Sequence, residues 1–185
     1  IELVKKFTMT KVFEPSEIYK NLSLEDMPGE VWKDLGELQG FEFGYYMVSN
    51  MGRVKTLHRV TATKSRAKFI RKQKIMSLHL NIRPSGLESY LMFKYVVAGF
   101  KKSLIVHKVV AKLFIDNPEN LNVVDHINNF KTDNRSCNLQ WTTILENTRK
   151  AVRDGLWNCP GGEKSASSIL KEKQVFEIID LVKST

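Results

Sequence analysis

Residues Val123 to Asn147 read V-V-D-H-I-N-N-F-K-T-D-N-R-S-C-N-L-Q-W-T-T-I-L-E-N, and this stretch decides the fold of the chain. An acid stands beside a histidine in Asp125-His126, a loop rich in Asn and Asp follows, and two further amide side chains come later, at Asn138 and Asn147. A neutral histidine can accept a proton from water near pH 7. Carboxylate and amide oxygens suit Mg²⁺, which keeps several of its waters. The pattern therefore predicts one divalent ion held beside one base.

The order of these residues resembles the ββα-metal core of HNH nucleases, and within it the H-N-N form of phage group I intron-encoded homing endonucleases. In that family a D-H pair lies near the end of one strand, an N-L-x-W asparagine lies near the second strand, and the following helix carries the last ligand. Here the corresponding residues are 123–126, 138–141 and 146–147. The resemblance thus covers three segments in the family's order.

The resemblance also implies roles for individual residues. His126 is expected to be the general base that activates water, Asp125 and Asn147 are expected to hold Mg²⁺ or Mn²⁺, and Asn138 is expected to hydrogen-bond and orient the imidazole. One departure lies in the loop, where a Gly-Asn pair common in the family is Asn129-Phe130 here. Asparagine tolerates left-handed backbone angles, so the substitution is compatible with the family's turn.

Composition excludes several other classes of protein. With 42% hydrophobic and 26% charged residues the chain is an ordinary globular sequence rather than a disordered one. No apolar run approaches the roughly 20 residues that a membrane-spanning helix needs. The two cysteines, Cys137 and Cys159, can build neither a disulfide framework nor a Cys₄ zinc site, so we expect no structural zinc. A reducing, cytoplasmic compartment is the simplest expectation.

The charge distribution favours a polyanionic partner. The net charge is +9 with a pI near 9.5, and no Asp or Glu lies between Glu42 and Glu88. A basic segment can be merely a solvated face, but beside a candidate phosphodiesterase site we expect a surface that follows double-stranded DNA. The residues predicted to contact DNA are Arg53, Lys55, Arg59, Arg66, Lys68, Arg71, Lys72, Lys74, Lys101, Lys102, His107, Lys150 and Arg153.

His107 is the ambiguous residue of that group. It stands at the start of a predicted helix, where a histidine can be a metal ligand, a structural residue or a phosphate contact. For a histidine at a helix start we favour the structural or phosphate-contacting interpretation.

The fold class predicted is α+β, in four segments: an N-terminal extension (1–29), an antiparallel β-rich DNA-binding region (30–105), an HNH nuclease core (106–154) and a linker with the start of a helical tail (155–185). Residues 30–57, with W-K-D and V-S-N-x-G-R-V, resemble a small DNA-binding module found upstream of HNH cores in phage nucleases; residues 35–44 depart from its usual spacing. The tail resembles the opening of a helix-turn-helix and is expected to be truncated.

Local patterns refine this prediction. Strands are expected at 46–48, 53–57, 73–80, 89–97 and 102–106, with turns at 49–52, 84–86 and 98–99 and an exposed loop around 61–65. Apolar residues spaced i, i+3, i+4, i+7 and i+8 from Val106 predict a helix over 106–115. Further helices are expected at 143–153, carrying Asn147, and from Lys171 onward, and a short one around 16–22.

Two kinds of function fit these observations. The first is a metal-dependent, site-specific DNA endonuclease of the homing type, which leaves a 5′-phosphate and a 3′-hydroxyl; whether one strand or two are cut stays open. The second is a sequence-specific DNA-binding regulator whose HNH fold has lost activity. A packaging or restriction nuclease is a third, weaker interpretation. We expect a monomer, with a dimer left open.

Overall fold

The computed structural model describes residues 13–63, 66–82, 88–97, 100–156 and 170–183. The chain divides into two compact units, residues 1–142 and residues 143–185. The described part of the first unit contains a 3-10 helix at Pro15–Lys20, strands β1 (Trp32–Asp34), β2 (Tyr46–Ser49), β3 (Val54–Thr56), β4 (Arg59–Thr63), β5 (Arg66–Arg71), β6 (Lys74–Ile75), β7 (His79–Ile82), β8 (Glu88–Val97) and β9 (Phe100–Ile105), helix α1 (Val106–Phe114), and strands β10 (Val123–His126) and β11 (Leu139–Thr142).

The first sheet has the strand order β1-β2-β3-β6, with antiparallel pairing throughout. The hairpin of β2 and β3 confirms the strands predicted at 46–48 and 53–57. Its turn contains Gly52 at φ +81°, an angle that a residue with a side chain adopts only under strain. Val48 and Val54, which pair directly across the hairpin, are fully buried. The residues of the turn and the alternation of buried residues in the strands therefore favour the same register for the β2–β3 hairpin.

The basic stretch forms a second hairpin, in which β4 and β5 pair from Arg59↔Arg71 to Thr63↔Arg66. The exposed loop predicted around 61–65 is wrong over 61–63, because these residues continue β4; residues 64 and 65 lie outside the described residues. The exposed apolar residues Val60 and Ile70 pair across this hairpin. β-branched residues pair well across strands even on an exposed face, which accounts for a ribbon in a sequence this basic.

The third sheet has the order β7-β8-β9. Leu91, Phe93 and Tyr95 of β8 are buried, whereas Lys94 is exposed, which confirms the period-two pattern of this strand. The single strand predicted at 73–80 is instead two short strands in different sheets, because β6 pairs with β3 while β7 pairs with β8. The turns predicted at 84–86 and 98–99 lie outside the described residues.

Helix α1 supplies much of the core. Val106, Val109, Val110 and Leu113 are buried in one apolar cluster with residues of β2, β3, β8, β10 and β11, and Phe114 packs against it half-buried. Burying a valine or leucine side chain contributes about 1.5–3 kcal/mol relative to exposure. The predicted helix face is confirmed. Through this face, helix α1 packs the strand pair that carries Asp125 and His126 against the rest of the first unit.

The second unit contains α2 (Ile144–Arg153) and α3 (Glu172–Lys183) among its described residues. Thr143 begins α2 with a capping box, in which its side chain accepts from the N–H of Glu146 and the Glu146 carboxylate accepts from the N–H of Thr143. Both helices match the predicted positions. None of the helices in the described part of the chain has the length and apolar character needed to span a bilayer.

Candidate active site

Asp125 and His126 end strand β10, where they pair with Gln140 and Leu139 of β11. The turn that follows is closed by two backbone hydrogen bonds: Ile127 N–H donates to the carbonyl of Asn138 (2.9 Å), and Asn129 N–H donates to the carbonyl of His126 (2.9 Å). Asn129 has φ +64°, the left-handed angle expected where the family commonly carries glycine. The ladder and this turn fix the backbone direction at His126.

Asn138 holds the loop rather than the imidazole. Its Nδ2 donates to Oδ1 of Asn128 and to the carbonyl of Asp133, both at 2.9 Å, and its Oδ1 accepts from the N–H of Asn128 at 3.1 Å. Both N–H groups of the amide are thereby used within the loop. The structure therefore corrects the prediction that Asn138 orients His126, because the asparagine faces the inside of the turn.

Asn134 is the residue of this loop whose side chain lies against a nitrogen of the imidazole. Its Oδ1 lies 3.1 Å from Nε2 of His126, and both residues are buried. An imidazole protonated at Nε2 would donate to this oxygen, which would leave Nδ1 as the acceptor nitrogen. In the sequence Asn134 is one of several turn-forming Asn and Asp residues of the loop that follows His126. No local signal separates it from the neighbouring Asn and Asp residues, since its contact spans the loop.

The loop carries a second polar network around Asp133, which is fully buried. Its carboxylate accepts from Arg135 Nε (2.8 Å) and Nη2 (2.9 Å) and from Asn128 Nδ2 (2.9 Å). Burial alone raises the pKa of the Asp133 carboxyl, but the hydrogen bonds and charge of Arg135, together with Asn128, outweigh it and lower the pKa below its ordinary value. A bidentate Arg–carboxylate pair is geometrically restrictive, so it stiffens the loop that carries Asn134.

His107 lies beside the candidate base, not on a DNA-facing surface. It is buried on α1, its ring meets the His126 ring edge to face at 4.9 Å, and the Tyr90 ring lies 4.4 Å away. Burial, with smaller contributions from the charges of His126 and Lys108, lowers the pKa of His107 to about 3, so the ring is neutral. The burial of His107 against these two rings contradicts the predicted DNA contact.

Asp125 is the carboxylate nearest in sequence to the base. It is nine-tenths buried, and its Oδ2 accepts from Gln140 Nε2 at 2.9 Å. Asn147 lies on α2, in the second unit. In the described part of the chain, no group of three or more His, Cys, Asp or Glu side chains is placed to hold a metal ion. A Mg²⁺ ion requires only one or two carboxylates when it keeps its waters, so a carboxylate and an amide oxygen fit it.

Arg53 corrects the predicted DNA surface. Its side chain is fully buried in an ion pair with Glu30, to which both Nε and Nη2 donate. Nη1 donates to the carbonyl of Ser23 (2.7 Å), and Nη2 also donates to the carbonyl of Glu25 (2.9 Å). A guanidinium engaged in this way joins the N-terminal segment to the first sheet and has no access to DNA.

Two further basic residues serve aromatic contacts within the fold. Nη1 of Arg59 donates to the carbonyl of Tyr45 (2.9 Å), and its guanidinium lies over the rings of Tyr45 and Tyr46. Nζ of Lys55 lies 3.9 Å from the centroid of the Trp32 ring. These positions are half-buried, so the fold itself engages part of each cation.

The remaining predicted DNA contacts stand largely on the surface. Lys68 and Arg71 are exposed on β5, Lys72 just after it and Lys74 on β6, and Lys101 and Lys102 are exposed on β9. In the second unit Arg153 is exposed and Lys150 half-buried. The side chain of Arg66 lies outside the described residues. The exposed cations of the β4–β5 hairpin (Lys68, Arg71 and Lys72) are called the ribbon cations below.

A family model and several known proteins match this chain in sequence. The NUMOD4 motif model matches residues 30–82. An uncharacterised HNH endonuclease of Acanthamoeba polyphaga mimivirus is 40% identical over 129 residues, which are 69% of this chain and 27% of that protein. The DNA endonuclease I-HmuI of Bacillus phage SP01 is 30% identical over 147 residues, 80% of this chain and 71% of that one.

The chain thus spans about a quarter of the mimivirus relative and most of the phage one. A solved structure of the HNH homing endonuclease I-HmuI, concerned with its DNA binding and cleavage, aligns with 83% of this chain and 68% of its own, at 27% identity and a TM-score of 0.48.

Proposed function

This chain belongs to the HNH homing endonuclease family, and from that membership we propose that it hydrolyses a phosphodiester bond of double-stranded DNA to a 5′-phosphate and a 3′-hydroxyl. The observation that carries the proposal is the placement of His126, buried at the end of β10 directly after Asp125, with Nε2 against the side-chain oxygen of Asn134. General-base catalysis requires an imidazole held in position, and the Asn134 contact engages one ring nitrogen of His126.

In the proposed step, Nδ1 of His126 accepts a proton from a water molecule as the water oxygen attacks phosphorus. The bond between phosphorus and the 3′-oxygen breaks, its electron pair leaves with that oxygen, and a solvent proton completes the 3′-hydroxyl. Asp125 and Asn147 would hold Mg²⁺ or Mn²⁺, which when bound offsets negative charge on the phosphate and the departing oxygen.

The ribbon cations support DNA as the substrate. Lys68 and Arg71 on β5, and Lys72 just after it, lie in a stretch that contains no carboxylate, and the β4–β5 hairpin has the two-stranded form that the major groove admits. Lysine and arginine contacts to phosphate supply sequence-independent affinity and register. We propose that this hairpin follows the DNA backbone while the chain acts as a monomer. A single active site on a monomer can nick one strand directly, whereas a double-strand break needs a dimer or a second event.

Cleavage of supercoiled plasmid carrying candidate insertion sites tests the function, with Mg²⁺ or Mn²⁺ against EDTA. Wild type is expected to produce open-circular or linear DNA only with the metal. His126→Ala is expected to lower the rate by about 10²-fold or more without loss of DNA binding. His79→Ala is the matched control, because His79 is an exposed histidine on β7.

Either of two results contradicts the proposal. Strong cleavage by His126→Ala removes this histidine from the reaction. Tight, salt-sensitive binding by wild type without any cleavage on any of the candidate sites favours the DNA-binding regulator instead.

A further inference from the structure

We propose that the turn of the upstream module, residues Ser49–Arg53, positions the candidate base through Asn134. The module turn and His126 do not need to touch for this, because Asn134 lies against the turn on one side and against the imidazole on the other. The segment resembling a DNA-binding module is then also part of the active-site support. The positioning of His126 does not depend on the proposed function; only the expected effect on DNA cleavage rests on it.

The closest approach is at Gly52. A Cβ atom placed on Gly52 would lie 2.8 Å from Cβ of Asn134, 3.1 Å from its carbonyl oxygen and 3.3 Å from its carbonyl carbon. Two of these three atoms belong to the backbone, which cannot rotate away as the end of a long side chain can. Only glycine allows the turn and the Asn134 backbone to lie this close.

A hydrogen bond beside this contact fixes the same two segments. The N–H of Ser136 donates to the carbonyl of Asn50 at 2.7 Å, so the chain on the far side of Asn134 is tied to the turn as well. Asn134 is therefore held between a tight van der Waals contact and a backbone hydrogen bond two residues later. It is 3% exposed, so the surrounding residues pack closely around its side chain.

The turn itself is rigidly built. Oγ of Ser49 accepts from the N–H groups of Met51 (3.2 Å) and Arg53 (3.0 Å), and the N–H of Gly52 donates to the carbonyl of Ser49 (3.0 Å). The side chain of Asn50 accepts from Val31 N–H (2.8 Å) and donates to the carbonyl of Gly29 (3.1 Å). Residues Ser49–Arg53, with the sequence S-N-M-G-R, thus form a rigid turn against which the loop of Asn134 packs.

A substitution at Gly52 separates this role from general stability. Gly52→Ala adds strain at φ +81° and also pushes Asn134. Gly40→Ala is the matched control, because Gly40 has φ +88° and no atom within 4 Å of its would-be Cβ. Both variants therefore carry the same kind of backbone strain, and only one displaces the residue that contacts His126.

The first measurement uses the full chain without DNA. Nitrogen chemical shifts of the His126 ring, recorded by NMR where the ring is neutral, report the proportion of the Nε2–H tautomer. Wild type and Gly40→Ala are expected to show predominantly Nε2–H, and Gly52→Ala a mixture. Identical ring shifts in Gly52→Ala and Gly40→Ala, with both variants folded, overturn the proposal whether or not the chain cleaves DNA.

The second measurement is single-turnover cleavage, corrected for the folded fraction at the assay temperature. Gly52→Ala is expected to lose about 10- to 100-fold in rate relative to Gly40→Ala, with DNA affinity unchanged, since a displacement near 1 Å can reduce a rate about 10²-fold. Equal rates in the two variants contradict the proposal. If wild type fails to cleave, the proposed function fails, while the ring shifts still decide the inference.

Two substitutions at Asn134 complete the test. Asn134→Leu keeps the size but removes the oxygen, and it is expected to lower the rate as Gly52→Ala does. Asn134→Asp keeps an acceptor for Nε2–H and is expected to restore most of the rate. Adding Gly52→Ala to Asn134→Leu is expected to cause little further loss, because both act through one contact; full additivity counts against the proposal.

Discussion

The imidazole rings of His107 and His126 lie edge to face, with 4.9 Å between their centroids and 71° between their planes. One ring belongs to the helix before the strand pair and the other to its first strand, so the two are 19 residues apart in the chain. Tyr90 of β8 approaches both rings, with centroid distances of 4.4 Å to His107 and 6.0 Å to His126. The candidate base therefore rests on an aromatic support that only the packed fold creates.

The depressed pKa of His107 predicts acid sensitivity of the fold. Below pH 6.5 the unfolded chain binds a proton at His107 that the native chain, with a pKa of about 3, does not. The free energy of unfolding should then fall by about 1.4 kcal/mol per pH unit between pH 6 and 3 from this group alone. His107→Phe keeps a ring but removes the proton site, so its stability should depend less on pH.

Urea unfolding between pH 4.5 and 7.5 measures this difference. The charged and titratable groups around His107 are His126 on β10, Tyr90 on β8 and Lys108 on α1, and all three are retained in the variant. His79→Phe serves as the control at an exposed histidine. Parallel pH profiles for wild type and His107→Phe would show that His107 is not the source of the acid sensitivity.

Because Arg53 and Glu30 form a buried ion pair, replacing Arg53 should reduce the stability of the fold strongly. This basic residue is among the DNA contacts predicted from the sequence. Arg53→Ala leaves the Glu30 carboxylate buried without its cation, which typically reduces stability by about 3–5 kcal/mol. Arg53→Met combined with Glu30→Leu should recover part of that loss, because neither charge is then buried. Urea unfolding with Lys68→Ala as the control measures both effects; a reduction below about 1 kcal/mol for Arg53→Ala contradicts the structural role.

Sequence reasoning succeeded where the information is local. The helix face from Val106 to Phe114 follows from spacing, and the left-handed angle at Asn129 follows from what asparagine tolerates in a turn. The Asp125-His126 pair at a strand end follows from family resemblance and is observed. Each of these depends on residues within a few positions of one another.

It failed where a partner is distant in sequence. Arg53 counted as a DNA contact because its neighbours are basic, but its partner Glu30 lies 23 residues earlier. Asn134 was not singled out, since its importance arises from Gly52 on the other hairpin and from His126 across the loop. Burial of this kind is decided by tertiary packing, which neither composition nor periodicity reveals.

Substitution of Asn138 is expected to have a different effect from substitution of Asn134. Because its amide bonds to Asn128 and to the carbonyl of Asp133, Asn138→Ala should loosen the loop and lower stability by about 1–3 kcal/mol, the range for leaving buried polar groups unpaired. Thermal unfolding and cleavage rate should then fall together. If cleavage falls while the unfolding midpoint is unchanged, Asn138 acts on the base directly, as the family resemblance implied.

The ribbon cations predict a change in salt dependence. Replacing Lys68, Arg71 and Lys72 with glutamine should weaken binding to all DNA sequences alike. The slope of log K against log salt concentration should shrink by about 0.9 for each phosphate that the variant no longer neutralises. Lys20→Gln is the control, because Lys20 is an exposed lysine paired with Glu17 outside the basic stretch. An unchanged slope in the triple variant places the DNA elsewhere on the protein.

The proposed role of Asn147 predicts that its substitution changes the Mg²⁺ dependence of cleavage rather than DNA binding. If its amide oxygen is a ligand together with Asp125, Asn147→Ala should raise the Mg²⁺ concentration at half-maximal cleavage several-fold. Asp125→Asn, which loses the only charge of the pair, should raise it further or abolish cleavage. DNA affinity in EDTA should stay unchanged in both variants, and Asn122→Ala, at an exposed asparagine of the same protein, should behave as wild type. A Mg²⁺ titration of Asn147→Ala that superimposes on wild type contradicts a metal-binding role for Asn147.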